Sequence, residues 1–211
     1  MLQGIFPVIP TCFTSDDKLD LDSQSKVIHF ALDSGAHGVV FPGVASEYNF
    51  LTSEERGELM ALVSREVGER VPIVGGASAT TASEVIAAGK QAREHGIRHL
   101  MIMAPKGLGQ DLAEQKAFFQ EIAANLEGAE IILQNAPNPV GAGLDAAAIL
   151  ELISTNPAIS YVKEETLPSG PAITAFCNSE IPHLKGVFGG GGARYILSLI
   201  HISEPTRHRG I

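Results

Sequence analysis

Glu94-His95-Gly96-Ile97-Arg98-His99-Leu100-Met101-Ile102-Met103 contains the end of a helix, the glycine that stops it and a strand. A glycine at that place can take the left-handed backbone conformation that closes a helix. The run from His99 to Met103 is apolar on successive residues rather than on alternate ones, as in a strand covered on both faces. Asp33-Ser34-Gly35 leads in the same way into Gly38 to Phe41. Working outward, further apolar runs lie at Ile5 to Ile9, Val71 to Val74, Glu130 to Leu133, Ile159 to Val162 and Leu184 to Phe188. Their starts are roughly 25 to 35 residues apart, the length of one strand, one helix and two loops. Seven such units are expected.

The helices carry their own start signals. Thr52 and Glu55 have the spacing of a capping box, and Leu59, Leu62, Val63 and Val67 recur on one face of the helix that follows. The next helix is expected to begin near Ala82. Parallel strands joined through helices leave two architectures, a doubly wound sheet or a closed barrel. A doubly wound nucleotide-binding sheet places a glycine-rich loop after its first strand, where this chain has Pro10-Thr11-Cys12-Phe13. The expected fold class is therefore α/β, a (β/α)8 TIM barrel. A closed eight-stranded barrel takes about 250 residues, so the barrel is expected to be truncated after about seven β/α units.

That domain is expected over residues 1–197, with 198–211 as a non-native tail. The tail contains Glu204-Pro205 and no further strand and helix pair. Its run Ser198-Leu199-Ile200-His201-Ile202-Ser203-Glu204-Pro205-Thr206-Arg207 resembles the peptide obtained when sequencing-adapter DNA is translated at the end of an incomplete gene.

A length of 211 residues with 45% hydrophobic content suits one substantial core. The formal charge of -9 argues against nucleic acid or an anionic membrane as partner. Cys12 and Cys177 stand far apart, with no His or Cys at ligand spacing, so neither a disulfide framework nor a metal site is expected. No stretch approaches the roughly 20 apolar residues of a membrane span, and Met1 is followed by Gln3 and Gly4 rather than by a basic and then apolar signal. A cytoplasmic enzyme is the expectation. The cluster Gly189 to Gly192 lacks the Lys and Ser/Thr of a phosphate loop; a close backbone approach to a ligand, or a mobile loop, is expected there instead.

Barrels of this kind carry their active sites at the carboxyl ends of the strands. That rule selects Gly43, Ala45, Ser46 and Glu47 after the second run, Pro105 and Lys106 after the fourth, and Gln134 and Asn135 after the fifth. After the sixth come Lys163, Glu164, Glu165 and Thr166. Lysine is costly to bury, and burial favours the neutral amine that can attack a ketone. On the residues alone, Lys163 can equally snorkel to solvent or pair with Glu164 or Glu165.

Four pieces of the chain, in order and at fixed spacing, carry a resemblance that bears on this choice. They are Gly4-Ile5-Phe6-Pro7-Val8-Ile9-Pro10-Thr11-Cys12-Phe13, Gly43-Val44-Ala45-Ser46-Glu47 followed by Leu51-Thr52-Ser53-Glu54-Glu55-Arg56, Leu133-Gln134-Asn135-Ala136-Pro137, and Tyr161-Val162-Lys163-Glu164-Glu165-Thr166. From Gly4 to about Leu197 the chain resembles the dihydrodipicolinate synthase and N-acetylneuraminate lyase family. The resemblance implies a class I lyase barrel whose Schiff-base lysine is Lys163, a small 2-keto acid as substrate, no metal or organic cofactor, and assembly as a homo-oligomer of the tetramer type.

The departures narrow the reading. The family's proton-shuttling tyrosine falls on Gln134, its threonine pair on Val44 and Ala45, and its second tyrosine has no counterpart near Pro105. A glutamine at that place, with Ser46-Glu47 and the residues around Lys163, resembles the branch of L-2-keto-3-deoxyarabonate dehydratases. The resemblance implies catalytic roles for Lys163 and Gln134 and substrate contacts for Ala45, Ser46, Glu47, Glu165 and Thr166. Gln134 cannot titrate and can only orient a hydroxyl or water, whereas Glu47 and Glu165 can exchange protons. Dehydration of a 2-keto-3-deoxy sugar acid is the expected reaction. A pyruvate-dependent aldolase, a dihydrodipicolinate synthase-like enzyme and a non-catalytic barrel or inactive fragment are the alternatives.

Overall fold

The computed structural model describes residues 1–192 and 195–197; the expected tail, 198–211, lies outside them. Among the described residues, six α-helices and six strands alternate: α1 (Leu21–Asp33), β1 (Val39–Val40), α2 (Ser53–Val67), β2 (Ile73–Gly76), α3 (Ala82–Glu94), β3 (His99–Met103), α4 (Leu112–Asn125), β4 (Glu130–Asn135), α5 (Ala146–Thr155), β5 (Ile159–Glu164), α6 (Ser169–Cys177) and β6 (Gly186–Gly189). The strands form one sheet in the order β1-β2-β3-β4-β5-β6, and every pair is parallel. The expected capping box closes α2, with Glu55 N donating to Thr52 Oγ1 at 3.1 Å and Thr52 N to Glu55 Oε2 at 2.8 Å. Helix α3 begins at Ala82 behind a second box formed by Thr81 and Glu84. Gly35 and Gly96, just past α1 and α3, have φ of +84° and +77°, which a residue with a Cβ adopts at a cost.

The first apolar run is less regular than expected. Ile5 to Ile9 forms no strand of its own but one parallel bridge, Val8 to Val40, with Ile9 N donating to Val40 O at 3.0 Å and Val40 N to Pro7 O at 2.9 Å. Pro7 and Pro10 have no N–H to give to a ladder, which limits the pairing to the residues between them.

Successive apolar residues along the strands serve two cores. Val39, Phe41, Leu100, Ile102, Ile131, Leu133 and Val162 pack outward against Leu59, Val63, Ile122 and Ile153 of the helices. The residues between them, Val40, Val74, Met101, Ile132 and Tyr161, pack with Leu2 on the concave side. The curvature carries Phe6, beside β1, to within 5.5 Å of Phe188 in β6, ring centroid to ring centroid. The two outermost segments of the sheet thus meet through side chains across the interior. The fold is an α/β barrel wall, open between these edges among the described residues. Leu2 N donates to Tyr161 Oη at 3.0 Å, so the N-terminal segment fills the barrel floor. No described helix is long and apolar enough to cross a membrane.

His99 and Glu130 begin β3 and β4 in register and lie at the rim of that floor. His99 Nε2 stands 3.5 Å from Glu130 Oε2, and Lys185 Nζ donates to Glu130 Oε1 at 2.6 Å. Burial holds the His99 imidazole below its ordinary 6.5; the Glu130 carboxylate opposes this, and the charges of Lys185 and the N-terminus add to it. A folded imidazole that resists a proton leaves the unfolded chain binding more protons, so stability rises with pH. The contribution is complete above 6.5 and is lost as pH falls below it. The melting temperature is therefore expected to drop between pH 7.5 and 5.5. His99→Gln should remove much of that drop, as thermal unfolding followed by circular dichroism at both pH values will show.

Candidate active site

The side-chain alternation that builds the floor also builds the site above it. Tyr161 pairs with Ile132 and Gly186 in the floor. Two residues further along, Lys163 lies in register with Gln134 of β4 and Phe188 of β6, and Gln134 with Met103 of β3. Lys163 and Gln134 therefore face the concave side on adjacent strands, one layer above an apolar base.

A single carboxylate joins them. Glu165, just past β5, places Oε1 3.2 Å from Lys163 Nζ and accepts a 2.6 Å hydrogen bond at Oε2 from Gln134 Nε2. The Lys163 and Glu165 side chains are 19% and 16% exposed, and Gln134 is buried. A carboxylate accepts only, so the Gln134 amide must turn its NH2 toward Glu165, which leaves the carbonyl oxygen to orient a hydroxyl. Of the residues expected at the site, these three come together. Glu47 is exposed, at φ 56° between two short 3-10 turns, Val44–Ser46 and Tyr48–Phe50. No ion pair joins it to Lys163 among the described residues.

The residues of opposite parity form a support on the helix side. Glu164 is buried and accepts from Asn135 Nδ2 at 2.9 Å, from Thr166 N at 2.6 Å and from the Thr166 hydroxyl. Asn135, fully buried, also donates to Leu144 O and accepts from Leu144 N, both at 2.9 Å. Thr166, expected to contact substrate, thus spends its hydroxyl on Glu164. Neither Asn135 nor Glu164 was assigned a role from the sequence. The available signal was their position, each one residue after an inward-facing partner and hence on the other face.

The turn after β1 is fixed from below. The buried Ser46 hydroxyl accepts from Gly43 N at 2.9 Å and donates to Ile9 O at 2.6 Å, while Thr11 Oγ1 donates to Ser46 O at 2.6 Å. Ser46 N–H is also taken, by Gly43 O at 2.9 Å. Ser46 therefore holds the loop with both its hydroxyl and its amide. The N–H groups of Val44 and Ala45 open the turn, where no intrahelical acceptor exists. A cleft lined by Pro42, Gly43, Val44, Arg56, Ser78 and Gln134 runs from this turn to Gln134, the register neighbour of Lys163.

A profile of the Dihydrodipicolinate synthetase family matches residues 1–172. The chain belongs to this family. Its members are class I lyases, and the inward lysine at the carboxyl end of β5 fits that chemistry. The chain is 27% identical over 187 residues to the 4-hydroxy-tetrahydrodipicolinate synthase of Stenotrophomonas maltophilia, covering 88% of this chain and 62% of the relative. It is 27% identical over 201 residues to the L-2-keto-3-deoxyarabonate dehydratase of Azospirillum brasilense, covering 94% and 65%. Among solved structures it superposes on a dihydrodipicolinate synthase family protein from Coccidioides immitis with a TM-score of 0.85 and 27% identity, over 95% of this chain and 64% of the other. The 4-hydroxy-tetrahydrodipicolinate synthase of Methylacidiphilum fumariolicum gives a TM-score of 0.84 at 22% identity, over 96% and 66%. The chain spans less than two thirds of the length of each of these relatives.

Asn135 is the residue of the support with most to lose. Asn135→Ala removes the donor to Glu164 Oε2 and the partners of both Leu144 backbone groups in a buried setting, and unsatisfied buried polar groups cost about 1–3 kcal/mol each before relaxation. A loss of about 2–4 kcal/mol is expected, read as a lower midpoint in urea unfolding.

Proposed function

We propose that the protein is a Schiff-base-forming lyase that dehydrates a 2-keto-3-deoxy sugar acid. The observation that carries this reading is the Glu165 carboxylate held between Lys163 Nζ and Gln134 Nε2. Glu165 takes a proton from the Lys163 ammonium, the free amine attacks the C2 ketone, and Glu165 returns the proton to the carbinolamine hydroxyl, which leaves as water to give an iminium and a free carboxylate. The iminium acidifies C3. Glu165 lies within reach of the same nitrogen and accepts the C3 proton, forming the enamine. It then returns that proton to the C4 hydroxyl, which leaves as water. The conjugated iminium is hydrolysed to release the unsaturated keto acid and regenerate the amine, so the net change is loss of one water. One carboxylate suffices, because the proton removed from C3 is the proton the hydroxyl needs. These steps require no metal or organic cofactor.

Gln134 is suited to orient the C4 hydroxyl through its carbonyl oxygen and cannot take a proton from it. Retro-aldol cleavage needs that proton removed, which is why the glutamine favours dehydration over aldol chemistry. The substrate carboxylate is assigned to the N–H groups of Val44 and Ala45 at the outer end of the cleft, a receptor set by backbone geometry rather than side-chain identity. Ser46 contributes by holding that turn. Glu47 stands at the rim and Thr166 behind the site, where it fixes Glu164. The name of the dehydratase from Azospirillum brasilense supports this reading, while the synthase relatives support the wider lyase assignment.

Borohydride reduction in the presence of pyruvate should add the mass of the reduced adduct at Lys163, and Lys163→Arg should abolish it. Supplied with 2-keto-3-deoxypentonates, the protein is expected to release the unsaturated keto acid, which tautomerises through its C4–C5 enol to the semialdehyde, without releasing pyruvate. Release of pyruvate would establish the aldolase alternative, and absence of the adduct would remove the Schiff-base reading altogether. Glu165→Gln should still be trapped, but turn over about 10²- to 10⁴-fold more slowly, the usual contribution of a placed acid-base group.

A further inference from the structure

The four consecutive glycines from Gly189 to Gly192 are not explained by strand formation, since only Gly189 belongs to β6. Gly189 lies in register with Glu164, and Gly190 N donates to Glu164 O at 3.1 Å. The backbone at Gly190 is therefore fastened to β5 immediately beside Glu165. A Cβ placed on Gly190 would stand 2.2 Å from Glu165 Cγ, 2.3 Å from its Oε1 and 2.5 Å from its Cδ. These separations are far inside the roughly 3.5–4.0 Å at which carbon atoms pack. The atom crowded most is Glu165 Cγ, near the base of the side chain, so the carboxylate cannot escape by turning its far end alone. The next residue adds an attractive contact, with Gly191 N donating to Glu165 Oε1 at 3.3 Å.

We propose that Gly190 is a positioning residue for Glu165. The missing side chain leaves the volume in which the carboxylate stands between Lys163 and Gln134, and the Gly191 N–H orients it there. The glycine run thus replaces a side chain with space and an amide, and the close backbone approach it permits is to a catalytic carboxylate rather than to a phosphate. This assignment rests on the reading of Glu165 as the proton carrier, and it adds a determinant outside the strand that carries Glu165. The effect of a methyl group at position 190 is specific: Lys163 keeps its place on β5, whereas the group that moves protons at C3 is displaced.

The test compares Gly190→Ala with the unaltered protein in two measurements, borohydride trapping of pyruvate and exchange of pyruvate methyl hydrogens in D2O followed by NMR. Gly107→Ala is the control, since Gly107 is exposed and a Cβ there meets nothing within 4 Å. Gly190→Ala is expected to be trapped at Lys163 as the unaltered protein is, and to exchange the methyl hydrogens at least about ten-fold more slowly. In the Glu165→Ala background the same substitution should cause no further loss, because the atoms it crowds are gone. Exchange at the unaltered rate, or loss of trapping together with exchange, overturns the positioning role. Melting temperatures of the unaltered protein, Gly190→Ala, Glu165→Ala and the double variant decide the contact without catalysis: the cost of Gly190→Ala should shrink in the Glu165→Ala background, and an equal cost in both overturns it. Absence of trapping in the unaltered protein would overturn the Schiff-base function, while the melting cycle would still decide the Gly190 contact.

Discussion

Parallel pairing of β4 with β5 sets Gln134 opposite Lys163 and Asn135 opposite Glu164, and both faces of the site follow from that register. One residue of slip would exchange the two faces. Lys163 would enter the helix-side core, and Glu164 would face the interior without its three donors. The register is held where polar groups cannot be left unpaired. Asn135 ties β4 to the segment at Leu144 and to Glu164, and Ile131, Leu133 and Val162 seat the outer face against the helices. The buried network on one side therefore specifies the geometry of Lys163 and Gln134 on the other.

Charge placement follows the same logic. Two carboxylates adjacent in sequence receive opposite treatment: Glu164 is enclosed by neutral donors from Asn135 and Thr166, and Glu165 is shared between an ammonium and an amide. A fully enclosed carboxylate with neutral donors holds structure. The Glu165 carboxylate is partly exposed and stands 3.2 Å from an amine. The two roles differ by the parity of one strand position.

The sequence announced those features that depend on local patterns. Thr52 with Glu55, the glycines after α1 and α3, and the apolar runs identified the alternation of helices and parallel strands, because caps and buried strands have short-range signatures. The lysine at the end of β5 was legible as a candidate from its cost of burial, and the family from motifs in register along the chain. Other features depend on contacts that no window contains. The hydroxyl of Ser46 turns to Ile9, and that of Thr166 to Glu164, although each stands among motif residues that suggested substrate. The run Ile5 to Ile9 has the apolar content of a strand but supplies only the bridge at Val8, since its flanking prolines cannot complete a ladder. The use of Gly190 was hidden for a different reason: its partner, Glu165, lies on another strand's end, and the contact is visible only as an atom that is not there.

The hydrogen bond from Leu2 N to Tyr161 Oη spans 159 positions of the sequence, and Phe6 meets Phe188 over a still longer separation. On a ribosome adding about 5–20 residues per second, Leu2 would wait roughly 8 to 32 seconds before Tyr161 exists to receive it. During that interval the Leu2 amide lacks its partner, and the loop to be closed spans 159 positions. Contacts of this kind slow folding and leave the nascent N-terminal segment available for wrong associations. The floor that makes the finished interior compact thus cannot close until β5 and β6 have been made.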